Sequence, residues 1–133
     1  MEERNTRRTK TYFIAMALYW LIFGLITIFF PKLMEIFQTP TGIEANSKFS
    51  NHVWLHGGFD ILAFCILLFA LSKEKISRYL LLATALAAMM PAIAITFSLV
   101  RTPYWKTLFF GAALGCFVFA VWGYILAVKK PVK

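Results

Sequence analysis

Four long apolar runs, each closed by charge or by a helix breaker, constrain this chain more than any other feature. They cover residues 12–30, 53–71, 79–100 and 107–128. Crossing the hydrocarbon core of a bilayer takes about 20 helical residues. Backbone groups there must be bonded within their own segment, so each run is expected to be a transmembrane helix. Composition agrees. Of 133 residues, 60% are hydrophobic and only 15% charged, and a chain this short has too little interior to hide so much apolar surface. A water-soluble enzyme, a disordered chain and a disulfide scaffold are thereby excluded. The first run is longer than the roughly 7–15 residues of a signal-peptide core, and Pro31-Lys32-Leu33 offers no small-residue cleavage site, so it is expected to be a retained helix. The expected fold is all-α: a single-domain, four-helix transmembrane bundle.

Orientation follows from the cations. With four spans, Arg4, Arg7, Arg8, Lys10, Lys73, Lys75, Arg78, Lys129, Lys130 and Lys133 share one side, leaving Lys32, Lys48, Arg101 and Lys106 on the other. This bias predicts N-in/C-in topology, with both termini cytoplasmic, in the plasma (inner) membrane if the source is bacterial. The formal net charge of +8 then reflects topology and attraction to anionic lipid. No nucleic-acid partner is expected, because the cations form short flanks without a groove-reading motif.

The one substantial connection follows Pro31. Its first part, Lys32-Leu33-Met34-Glu35-Ile36-Phe37, is amphipathic and suits an interfacial segment; Thr39-Pro40-Thr41-Gly42 then reads as a turn. The other two connections are tight, so runs two and three, and three and four, are expected to be antiparallel neighbours. Gly111 and Gly115 form a GxxxG in the fourth run, with Gly123 near the same stripe. Ala83, Ala87, Ala88 and Ala92 give small-residue spacing in the third. These residues predict close packing of the last two helices, or a homodimer through Gly111 and Gly115. Pro91 is expected to bend the third helix. Tyr19 and Trp20 fall near mid-bilayer, so at least one of their polar atoms should face protein.

The constellation with chemical content opens the second run. His52, His56 and Asp60 are spaced four apart, which sets them on one face of a helix, and Ala63, Leu67 and Ala70 continue the stripe. Asp60 is the only acid inside any run. A carboxylate near mid-bilayer costs up to about 2.5–3.5 kcal/mol on insertion scales. It is therefore expected to point inward, paired, protonated or exposed to a water-filled niche, with Thr27, Thr96 and Arg101 at matching depth. Such a niche would serve as a ligand contact or a proton relay, or would only hold helices together. His52 and His56 with Asp60 or Glu44 would make an incomplete metal set. Bis-histidine haem needs ligands on opposite faces of the ring, and these two histidines share one side of one helix, so it would need a second chain; a single axial histidine is the remaining haem arrangement. Cys65 and Cys116, far apart and without a CxxC, read as packing residues. No haem, quinone or metal cofactor is expected, and no catalytic residue stands out.

A basic start, Gly24 in a first helix that ends at Pro31, an amphipathic segment, and then Gly57-Gly58 with Asp60 together resemble the DoxX-like group of small four-helix membrane proteins. The likeness covers most of the chain. It implies a four-helix membrane fold and, for some members, a link to quinol-oxidising or other redox complexes, here as an accessory subunit. Two functions are expected to compete. One is a non-enzymatic or accessory membrane protein whose outward-opening polar niche meets a small ligand, a lipid or a partner helix. The other is a proton-coupled small transporter or quinone-linked redox subunit, assembled as a homodimer or larger complex.

Overall fold

The computed structural model describes residues 2–46 and 50–130, with side chains described for 6–44 and 56–130. The helices are α1 (Glu2–Phe29), α2 (Pro40–Asn46), α3 (Ser50–Leu71), α4 (Arg78–Arg101) and α5 (Phe110–Val128). Single 3-10 segments, Pro31–Phe37 and Thr107–Phe109, precede α2 and α5. No β-strand occurs among the described residues, only one isolated bridge between Gln38 and Trp105. Three stretches are long and apolar enough to cross a membrane: Thr6–Phe29, Arg78–Arg101 and Thr107–Val128; the described part of α3 adds a shorter apolar stretch, His56–Leu71.

Local chemistry accounts for the boundaries. α1 stops just before Pro31, whose ring disfavours helical geometry in the residue ahead of it. Ser77 caps α4, its hydroxyl accepting from the Leu80 amide at 3.2 Å. Hydroxyls inside the helices turn back onto their own backbone. Thr27 donates to the Phe23 and Gly24 carbonyls, Thr84 to those of Leu80 and Leu81, and Thr96 to that of Ala92, so each is satisfied without a partner from another helix. α4 continues through Pro91 without interruption.

The helices assemble as two pairs. α3 packs along α1, and α4 along α5; α1 and α5 meet between the pairs, while α3 and α4 barely touch. The expectation that the second and third runs would be close neighbours is thus corrected. The residues of closest approach explain why. A Cβ on Gly58 would come within 2.6 Å of Ile28 and 2.7 Å of the Thr27 hydroxyl, and one on Gly24 within 3.0 Å of Leu62. These two glycines let α1 and α3 draw together, and the Cys65 thiol donates to the Ala17 carbonyl at 3.4 Å in the same seam. In the other pair, α4 buries Leu81, Ala85, Ala88 and Ala92, and α5 buries Ala113, Cys116, Ala120, Gly123 and Ala127. Alternating spacings of three and four residues give each helix a narrow seam of mostly small side chains. Ala88 and Ala92 lie in it as expected, but Ala83 and Ala87 are exposed.

Aromatic rings join the pairs. Tyr12 lies edge-on to Trp122 with centroids 5.5 Å apart, and Tyr19 meets Phe119 at 5.4 Å. At one end Lys130 Nζ donates to the Ile76 carbonyl, tying the end of α5 to the connection between α3 and α4. At the other end the first and last connections are cross-bonded. Thr39 N donates to Tyr104 O at 2.9 Å and Lys106 N to Phe37 O at 2.7 Å. Gly42 is required there, since a side chain would run into the Tyr104 carbonyl.

Candidate functional site

The described part of the polar stripe of α3, His56 and Asp60, is turned out from the rest of the molecule. Among the described residues of α3, Gly58, Cys65 and Leu68 are buried, whereas His56, Asp60, Ala63, Leu67 and Ala70 are exposed. The expected inward orientation of Asp60 is therefore corrected. The reason is geometric: at 3.6 residues per turn, Asp60 lies about 200° round the helix from Gly58. Once the glycine notch is what α1 packs into, the carboxylate must point outward. The side chain of His52 lies outside the described residues. Neither His56 nor Asp60 makes a hydrogen bond or ion pair among the described residues. Their neighbours on the same face are bulky and bare: Phe59 is 58% exposed and Ile66 71%.

The remaining sequence candidates are not gathered around Asp60. Thr27 is buried between α1 and α3, bonded to its own helix. Thr96 is exposed on α4 and donates to Ala92 O at 2.8 Å. Arg101, at the end of α4, holds its guanidinium 5.1 Å from the centroid of the Phe97 ring, a cation–π contact within one helix turn. Among the described residues no three His, Cys, Asp or Glu side chains come together.

The GxxxG divides in two. Gly111 is exposed, with open space where a Cβ would stand, whereas Gly115 receives Tyr19, whose hydroxyl would lie 2.6 Å from a Cβ there. That hydroxyl donates to the Ala112 carbonyl at 2.9 Å. Tyr19 thus finds its hydrogen-bond partner on α5, in keeping with the expectation that one of Tyr19 and Trp20 would turn its polar atom toward protein, and the glycine serves α1 instead of α4. Tyr12 is different. It is fully buried, approaches Thr84 and Gly123, and its hydroxyl makes no hydrogen bond among the described residues.

A feature that sequence reasoning missed lies between α4 and α5. A cleft of about 630 Å³ is lined by Met89, Ala92, Ile93, Thr96, Phe97 and Val100 from α4, and by Phe110, Ala113, Leu114 and Phe117 from α5. Its signal in the sequence was the bulky set Phe97, Phe110 and Phe117 set against the small Ala92 and Ala113. A second apolar hollow of about 310 Å³ runs along α5 past Phe117, Val121 and Trp122.

Comparisons with protein-family models, with curated proteins and with solved structures find no match.

Proposed function

We propose that this chain is a non-enzymatic, four-span membrane protein, with both termini cytoplasmic, that acts as an accessory subunit. The outward face of α3 is where a transmembrane helix of its partner docks. α3 is the fourth span on this reading: its 22 residues make about 33 Å of helix, enough for a bilayer core. The contact from Lys130 to Ile76 supports the orientation, because it gathers the C-terminal lysines and the Lys73–Arg78 connection at one end.

One observation carries the functional reading. Asp60 sits on an apolar helix, exposed, with no hydrogen bond or ion pair among the described residues, where an apolar residue would suffice. An acid facing hydrocarbon is unfavourable unless something meets it. The partner is accordingly a helix presenting a cation or a hydrogen-bond donor at the depth of Asp60, with Ala63 and Ala70 giving it room to approach. His56, one turn nearer the membrane surface, borders the same contact.

The test is site-specific photocrosslinking in native membranes. A probe at Ala63 is expected to capture one partner of defined mass, and Asp60→Leu to abolish that product while leaving the chain's abundance unchanged. A probe at Val118, on the far pair, is expected to capture none. A product of twice the chain's mass would make the partner a second copy and contradict the accessory role. An undiminished product in Asp60→Leu would remove Asp60 from the contact.

A further inference from the structure

The cleft between α4 and α5 has the dimensions and the chemistry of a site for one lipid molecule. It runs along α4 from Met89 to Val100, about 16 Å of helix at 1.5 Å per residue. That matches one leaflet of a hydrocarbon core roughly 30 Å thick. Its volume of about 630 Å³ falls within the roughly 300–1,000 Å³ range of small-molecule sites. Its lining is apolar apart from Thr96, whose hydroxyl is already committed to the Ala92 carbonyl. Such a groove receives a hydrocarbon chain and offers no group that would orient a polar one.

The mouth is different. Phe97 lines the cleft, and the guanidinium of Arg101 lies over that ring, 5.1 Å from its centroid. Val100, the outermost lining residue of α4, immediately precedes Arg101 in the chain and is 80% exposed. Arg101 faces no carboxylate among the described residues, so its hydrogen-bond donors are free for a ligand. Lys106 opens the segment that leads into Phe110 and adds a second positive charge at the same end. A planar cation held at the open end of a one-leaflet apolar groove complements a phosphate attached to an acyl chain.

We propose that this cleft is a binding site for an anionic glycerophospholipid of the leaflet in which α4 ends. One acyl chain lies between α4 and α5, and the phosphate is held by Arg101. The site lies on the opposite pair from Asp60 and does not draw on the contact proposed for that residue.

Native mass spectrometry of the purified chain tests this, after exchange into equal amounts of dioleoyl phosphatidylglycerol and dioleoyl phosphatidylcholine. The wild type is expected to retain one phosphatidylglycerol in roughly five-fold preference, the factor one surface arginine supplies against an anionic headgroup. In Arg101→Gln the preference is expected to fall well below the wild-type value, in the double variant Arg101→Gln/Lys106→Gln to about one, and in Arg101→Lys to survive in part. Ile93→Trp adds bulk from the open side of the cleft and is expected to lose the last-retained lipid of either kind. Circular dichroism equal to wild type would show that these exposed positions leave the fold intact. Equal retention of both lipids by the wild type would overturn the proposal, as would an unchanged preference in Arg101→Gln. Displacement of the lipid by excess inorganic phosphate alone would assign the cation to a soluble anion and overturn it as well.

Discussion

The two helix pairs are built from similar apolar material but solve packing differently. In the α1–α3 pair, closeness is concentrated at two glycines, Gly24 and Gly58, which admit the opposing helix at single points. In the α4–α5 pair it is spread along a seam of alanine, cysteine and glycine, beside which a cleft lined in part by Phe97, Phe110 and Phe117 lies open. A point notch fixes rotation about the helix axis, so it also decides which side chains are turned out. A distributed seam fixes the line of contact and leaves a groove where that line ends. The charged face of α3 and the apolar cleft of the other pair are by-products of these two ways of bringing helices together.

If that contrast is right, Gly58→Leu should do the most damage. Its side chain would enter the space held by Ile28 and Thr27, and overpacking of this kind costs about 3 kcal/mol. Thermal unfolding in detergent is expected to show a clear drop in Tm, while Gly57→Leu, which meets open space, stays within about 0.5 kcal/mol of wild type. Equal losses at the two neighbours would dissolve the idea of a point notch.

Gly115→Val is expected to come next, at about 1–3 kcal/mol, because it evicts Tyr19 and breaks the bond to Ala112. Gly111→Val serves as its neutral counterpart. Were Gly111→Val the more harmful, and the losses to depend on protein concentration, the glycines would be holding two chains together. Smallest of all should be Asp60→Asn, within about 0.5 kcal/mol in the isolated chain, since the exposed carboxylate makes no hydrogen bond or ion pair among the described residues. A large loss of Tm there would mean that the residue holds the fold together from within.

The apolar runs and where they stop were legible because a membrane span imposes length, and because Pro31 and the flanking cations mark helix ends; the start of α1 was not, since it begins at Glu2 within the basic lead, ten residues before the apolar run. That at least one of Tyr19 and Trp20 would turn its polar atom toward protein was legible, because a phenol or indole in an apolar run needs a partner; that Tyr19 would find Ala112 was not. Rotation was harder to read. In α4 nearly every residue is apolar, so nothing in the spacing marks the lipid side; of the alanines chosen from the sequence, Ala88 and Ala92 are buried and Ala83 and Ala87 are not. In α3 the polar residue was read as the inward marker, yet the glycine two places earlier sets the contact. Backbone approach distance outweighs the preference of one carboxylate when that carboxylate can be met from outside. Short connections misled as well. The link between α3 and α4 is brief, but each helix has a better-fitting neighbour elsewhere.

The cross-bonded connections also bear on the order of events as the chain is made. Thr39 donates its hydroxyl to the Pro103 carbonyl, 64 residues further on, and the amide of Lys106 reaches back to Phe37. When α1 and α3 have emerged from the ribosome, the residues that finish their outer rim do not yet exist. The early half must wait, its turn unlatched, until the late half threads in beside it, and the last loop to be synthesised closes the first.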